Sequence, residues 1–131
     1  MQVITEFIPH SPLPAALGIR LESIDPDRAR LAMPWSDGLA TLADVVHGGA
    51  IATLADTAAM AAAWASDDVP DSLTGATVSL TLDYLTAGRG DLAADAWVTR
   101  RGGRLVYTRV DVTDAGGALV AAGQAVYSLG R

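Results

Sequence analysis

Residues 45–65 constrain the fold more than any other stretch. They read Val-Val-His-Gly-Gly-Ala-Ile-Ala-Thr-Leu-Ala-Asp-Thr-Ala-Ala-Met-Ala-Ala-Ala-Trp-Ala, an Ala-rich run that is apolar nearly all round. The pattern predicts a helix over 48–65, and a helix without a polar face has to be buried. Its length is near that of a membrane span. Its content of Ala, Gly and Thr, with His47 and Asp56 inside, argues instead for a core helix. Such a helix needs a sheet to wrap it.

The remainder of the chain supplies that sheet. Residues 11–18 predict a short capped helical turn ended by Gly18. Strands are expected over 19–24 and 29–35, joined at Asp25-Pro26-Asp27, and a loop over 36–46 leads into the helix. Asp67-Asp68-Val69-Pro70-Asp71 breaks the helix in a solvated turn. Residues 76–85 alternate, placing Val78, Leu80, Leu82 and Tyr84 on one face and Thr77, Ser79, Thr81 and Asp83 on the other. Strands over 92–100, 105–113 and 118–129 follow, separated by hairpin turns at Arg101-Gly102-Gly103-Arg104 and Asp114-Ala115-Gly116-Gly117. The expectation is one α+β domain over residues 1–131: an antiparallel meander with one long helix embedded near its start.

Composition narrows the chemistry. A net charge of −6 argues against nucleic acid or an anionic membrane as the main partner. The absence of Cys excludes disulfides, thiolate catalysis and zinc–thiolate sites. His10 and His47 are too few and too scattered for the common metal sites. Glu6, Pro9 and His10 interrupt any apolar run near Met1, so no secretory signal is read, and a soluble, cytoplasmic chain is expected.

The helix head carries the chemistry. Gly48 and Gly49 bring bare backbone N–H groups to the start of a helix, where unpaired donors and the positive end of the dipole favour a developing negative charge. Asp56 has Ala52, Thr53, Ala59 and Met60 as its helical neighbours, so no basic side chain on that helix can pair with it. A carboxylate on an apolar helix is costly unless something across the fold or an interface satisfies it. His47 and Asp56 are roughly 13 Å apart along one helix, too far to reach one carbonyl together. Cooperation between them points to a symmetric dimer.

Several motifs, taken in order, resemble the hotdog-fold acyl-CoA thioesterases of the phenylacetate-pathway type, in the wider 4-hydroxybenzoyl-CoA thioesterase superfamily. They are His47-Gly48-Gly49 with Leu54-Ala55-Asp56-Thr57-Ala58, the strand Thr77-Val78-Ser79-Leu80-Thr81-Leu82-Asp83-Tyr84-Leu85, the basic hairpin Val98-Thr99-Arg100-Arg101-Gly102-Gly103-Arg104-Leu105, and the last turn Asp114-Ala115-Gly116-Gly117-Ala118-Leu119-Val120-Ala121. The resemblance implies a hotdog fold, a long central helix wrapped by a curved antiparallel sheet. It also implies an active site at a homodimer interface, with dimers often pairing into tetramers. By the same resemblance the Gly48 N–H polarises the thioester carbonyl, beside His47 and Gly49. Asp56 of the other subunit is general base or nucleophile, and the Thr77 hydroxyl helps hold water. Met60 helps shape the acyl pocket, while Arg100, Arg101 and Arg104 lie near the phosphates of coenzyme A. No cofactor or metal is implied, because water is the co-substrate.

Two departures stand out. Relatives usually carry Asn or Gln six residues before the His and Gly three before it; here those positions hold Thr41 and Asp44. Thr41 lacks the amide donor, and Asp44 adds negative charge near the site. The leading expectation is hydrolysis of an acyl-CoA with a small aromatic or medium-chain acyl group. A hotdog hydratase or dehydratase would need His and acid within a few ångströms of the same carbons. A non-catalytic acyl-CoA-binding module would be expected to lose the carboxylate that Asp56 supplies.

Overall fold

The computed structural model describes residues 1–130. In chain order its elements are α1 (Gln2–Phe7), α2 (Pro12–Ala16), β1 (Arg20–Asp25), β2 (Arg28–Met33), β3 (Ala40–Leu42), β4 (Val45–Val46), α3 (Gly48–Ala63), β5 (Ala76–Tyr84), β6 (Leu92–Arg101), β7 (Leu105–Asp114) and β8 (Leu119–Ser128). Six strands form one antiparallel sheet in the order β1-β2-β6-β7-β8-β5, and α3 packs across the same face of β2, β6, β7 and β8. This α+β arrangement is the hotdog architecture.

Small side chains on both sides of the helix–sheet contact make it close. Ala55, Ala58, Ala61, Ala62 and Ala63 are fully buried on α3, as are Ala94 and Ala121 on the sheet beneath. Leu54, Leu31, Val110 and Val112 fill the spaces between them. The two threonines of α3 satisfy themselves: Thr53 Oγ1 donates to the Gly49 carbonyl at 2.9 Å and Thr57 Oγ1 to the Thr53 carbonyl at 2.6 Å. One strip of the helix stays partly open, through Gly49, Ala52, Thr53, Asp56 and Met60. Their three- and four-residue spacing marks a single helical face.

Three expectations change. The strands do not form a simple meander, because β6, β7 and β8 are consecutive neighbours but β5 crosses to the far side of β8. The helix has to be covered across its width, so the strand leaving it closes the opposite edge from β1. The loop over 36–46 contains a 3₁₀ turn at Asp37–Leu39 and the β3–β4 ribbon. A helical N-terminal segment, not read from the sequence, places Ile4 and Ile8 in the core.

The alternation in β5 is also corrected. A β-bulge between Thr77 and Ser79 shifts the register against β8, so Thr77 opposes Tyr127 while Leu80, Leu82 and Tyr84 oppose Ala125, Gly123 and Ala121. One inserted residue reverses the facing of all that follows. Thr77 therefore shares the helix-facing side with Leu80, Leu82 and Tyr84, and Val78 is left 60% exposed.

The far end of α3 is held by Arg101. Its guanidinium donates to Asp27 Oδ1 at 3.0 and 2.8 Å, to the Ala63 carbonyl at 2.9 Å and to the Ala62 carbonyl at 3.4 Å. α3 has no basic residue in its own last turn, so this strand-borne cation meets the negative end of the dipole and its unpaired carbonyls. Arg101→Met should lower unfolding stability by about 1.5–3 kcal/mol, the range for hydrogen bonds to charged groups. Urea unfolding checks it, and an unchanged midpoint would show that the cap carries no net stability.

Candidate functional site

The site is built on the two ends of the open strip of α3. At its head, His47 is the N-cap, with extended backbone (φ −59°, ψ 134°). It is fixed from behind by its own N–H, which donates to the Leu39 carbonyl at 2.7 Å, while the Val46 N–H reaches Gly88 O at 2.8 Å. The four N–H groups of the first turn can then be accounted for one by one. Gly49 donates to His47 Nδ1 at 2.8 Å. Ala50 and Ile51 both donate to the His47 carbonyl, at 2.9 and 3.2 Å. The Gly48 N–H alone has no acceptor among the described residues, at the positive end of the helix.

The cap also sets the state of the imidazole. An Nδ1 that accepts has its lone pair free, so the neutral ring carries its proton on Nε2. A Cβ on residue 49 would lie 3.0 Å from His47 Nδ1 and 3.1 Å from its Cε1, which is why glycine at that position preserves the cap.

Two turns along the helix, half-buried Asp56 meets β5. Thr77 Oγ1 donates to Asp56 Oδ1 at 2.6 Å, and Asp56 joins no ion pair among the described residues. The bulge makes this contact, since uninterrupted alternation would turn Thr77 away. Met60 follows on the same strip, half-buried.

Behind the pair lies Tyr127, opposite Thr77 on β8 and edge-to-face with Trp64 at 6.3 Å between ring centroids. Burial pushes the Tyr127 phenol above its ordinary 10.0; the Trp64 indole N–H draws it partly back, and the Asp56 carboxylate pushes it up further. That indole N–H is itself buried without a partner at full hydrogen-bond geometry among the described residues, so its hold on the phenol is a loose one.

The other expected residues divide between the two ends of α3. Thr41 lies on β3 and lines a cavity of about 340 Å³ with Val45, Gly48, Ile51 and Tyr84. The charge of Asp44 is answered by Arg89, which the sequence reading passed over; the two side chains form an ion pair, and β4 meets Arg89 in a β-bridge at Val45. Arg100 and Arg104 are exposed, whereas Arg101 is occupied at the C-terminal end of α3, away from Gly48. Tyr84 was visible only as one apolar position in an alternating strand. Its hydroxyl donates to the Gly48 carbonyl at 2.7 Å, a contact that local spacing cannot show.

Residues 43–121 match the family described as the Thioesterase superfamily. The chain belongs to it. It is a thioester hydrolase with a hotdog fold. Along its length the thioesterase is 33% identical over 138 residues to an esterase-like protein of Halobacterium salinarum, covering 98% of this chain and 91% of the other. It is 28% identical over 144 residues to the medium/long-chain acyl-CoA thioesterase YigI of Escherichia coli, covering 95% and 89%. Among solved structures it superposes on the PaaI protein of the E. coli phenylacetic acid degradation operon with a TM-score of 0.82, covering 97% and 94% of the two chains. At 22% identity that likeness speaks for the fold alone. No helix among the described residues is long and apolar enough to cross a membrane.

The raised phenol makes a pH prediction. Between the unfolded tyrosine value near 10.0 and the higher folded value, the folded state holds a proton that the unfolded chain has lost. Stability should be level in this respect below that window and fall as pH rises through it. Chemical unfolding across the alkaline range, wild type against Tyr127→Phe, checks this; the alkaline slope should flatten in the variant, and equal slopes would refute the assignment to Tyr127.

Proposed function

We propose that this thioesterase hydrolyses acyl-CoA, with a small aromatic or medium-chain acyl group, at sites formed between two copies of the chain. The observation that carries the reading is the pairing of two features: a helix head whose one unpaired N–H among the described residues is that of Gly48, and a carboxylate, Asp56, whose only hydrogen-bond partner among them is a hydroxyl. In the reaction the Gly48 N–H binds the thioester oxygen as it gains negative charge. The Thr77 hydroxyl donates a hydrogen bond to Asp56 Oδ1, which leaves the Thr77 oxygen as an acceptor for a water proton and Asp56 Oδ2 as the base. The water oxygen bonds to the carbonyl carbon and its proton passes to Asp56. The C–S bond then breaks, and the proton goes on to the departing thiolate. Direct attack by Asp56, giving an anhydride that water opens, uses the same groups.

Gly48 and Asp56 of one chain are about 12 Å apart along α3, so one carbonyl cannot touch both. The edges of the sheet differ in a way that favours a second copy. Edge strand β1 carries Arg20, Glu22 and Asp25, the usual protection of a free edge. Edge strand β5 instead presents Val78 at 60% exposure and Tyr84 at 50%, with Leu85 beyond at 55%. Pairing there covers apolar surface and sets the open strip of α3 against its counterpart. The cavity beside Gly48, at about 340 Å³, lies at the small end of ligand pockets and suits a small aromatic or medium-chain acyl group. Exposed Arg100 and Arg104, which join no ion pair among the described residues, are the cations of the basic hairpin that can meet coenzyme A phosphates.

Coenzyme A release from an acyl-CoA panel, followed by thiol assay, tests the activity, and the chain has no Cys of its own to contribute. Asp56→Ala should lower kcat by about a hundredfold or more. Binding without turnover in the wild type would refute hydrolysis of these substrates. The shared site has its own test. Gly48→Pro removes the N–H at a first helical position, where proline fits, and the extended His47 before it is already compatible. Mixed after reversible dissociation, inactive Gly48→Pro and Asp56→Ala chains should recover up to about a quarter of wild-type activity, one intact site per mixed dimer. No recovery would mean that each site lies within one chain.

A further inference from the structure

The head of α3 is two consecutive glycines, and glycine backbone is the freest of all. Without restraint the peptide between Gly48 and Gly49 could rotate and displace the Gly48 Cα, the atom it shares with the peptide that bears the Gly48 N–H. Both of its polar ends are held. Its N–H, that of Gly49, donates to His47 Nδ1 at 2.8 Å, and its C=O, that of Gly48, accepts from the Tyr84 hydroxyl at 2.7 Å. The peptide before it is also fixed, because the His47 carbonyl takes the Ala50 and Ile51 N–H groups. Across the glycine pair one polar group is thus left over, the Gly48 N–H.

We propose that Tyr84 is a positioning residue for the reaction, its hydroxyl acting with His47 Nδ1 to clamp the Gly48–Gly49 peptide and so aim the Gly48 N–H at the substrate oxygen. This rests on the reading of Gly48 as the donor that polarises the thioester. The placement of Tyr84 supports a built feature. Its ring lies 3.5 Å from where a Gly48 Cβ would stand, so it backs the glycine in ordinary contact as well as bonding to it. The bulge in β5 is what puts it on the same face as Thr77. Thr77 and Tyr84 are an odd number of residues apart and would point to opposite faces of a regular strand, yet they oppose Tyr127 and Ala121 on the same face of β8. One edge strand therefore tends both ends of the machinery, Asp56 through Thr77 and Gly48 through Tyr84. The two contacts also make the machinery sensitive to that strand: any disturbance of β5 moves acid and donor together.

Tyr84→Phe isolates the hydroxyl, keeping the ring and its packing. The expected result is a kcat lowered by about 3- to 10-fold, the size of one neutral hydrogen bond, with KM changed by less than about twofold. A merely structural role would not lower kcat while leaving KM in place; the amide resonance of Gly49 should also move, reporting loss of the hydrogen bond itself, because a hydrogen bond to a peptide carbonyl polarises the N–H on the same peptide. An unchanged kcat, with or without a moved resonance, would overturn the proposal. So would a rise in KM alone, which would put Tyr84 in contact with substrate, or failure of the variant to fold, which would give the hydroxyl a structural duty. If the wild type hydrolyses no thioester, the reading under Proposed function falls instead, and the Gly49 resonance by itself then decides whether the clamp exists.

Discussion

Everything in this protein depends on how closely α3 lies against its sheet. The contact is alanine on alanine along much of its length, with Ala55, Ala58, Ala62 and Ala94 among the fully buried residues. Side chains this small let backbone approach backbone, and close packing then leaves no slack for a polar group that is not satisfied. The helix obeys this by folding its threonine hydroxyls back onto its own carbonyls and by taking its C-terminal cap from Arg101 on β6. What cannot be satisfied within the helix is confined to the strip through Gly49, Thr53, Asp56 and Met60. The carboxylate proposed to react, Asp56, therefore lies where the packing leaves the helix open.

A single irregularity in β5 turns that open strip into a site. The bulge between Thr77 and Ser79 brings the Thr77 hydroxyl to Asp56 and leaves Tyr84 on the same face for the Gly48 carbonyl. It also pushes Val78 outward on the sheet edge whose one charge is Asp83. Bulges near active sites commonly re-aim a side chain in this way. Here one extra residue connects the chemistry of the helix with the apolar edge on which a second copy is proposed to dock.

The electrostatics follow from the same geometry. The positive end of α3 has no acidic residue in its first turn and keeps one N–H unpaired among the described residues, while the negative end is met by Arg101. The carboxylate at Asp44, where the family usually has glycine, is balanced by Arg89 and so adds little net charge beside the cavity. Of the three hairpin arginines that resemblance placed near coenzyme A, Arg100 and Arg104 are exposed and Arg101 is bound to the helix end. Their sequence spacing treats the three alike; only the partners across the fold distinguish them.

By itself the sequence determined the elements and the candidates. Periodicity and punctuation marked the long helix to within two residues at its end, both hairpin turns and every strand of the large sheet, because these are dictated by neighbours in the chain. The Gly-Gly helix head and the lone Asp56 were legible for the same reason: an unpaired donor and an unpaired acid are visible in a helix read alone. Tertiary structure decided the rest. The crossing of β5 to the far edge, its bulge, the Asp56–Thr77 and Gly48–Tyr84 contacts and the capture of Arg101 all join residues far apart in the chain. Strict alternation pointed Thr77 the wrong way because register is set by the partner strand, and a one-residue slip exchanges the faces. Local pattern names the groups that must find partners, and only the packed fold determines which partners they find.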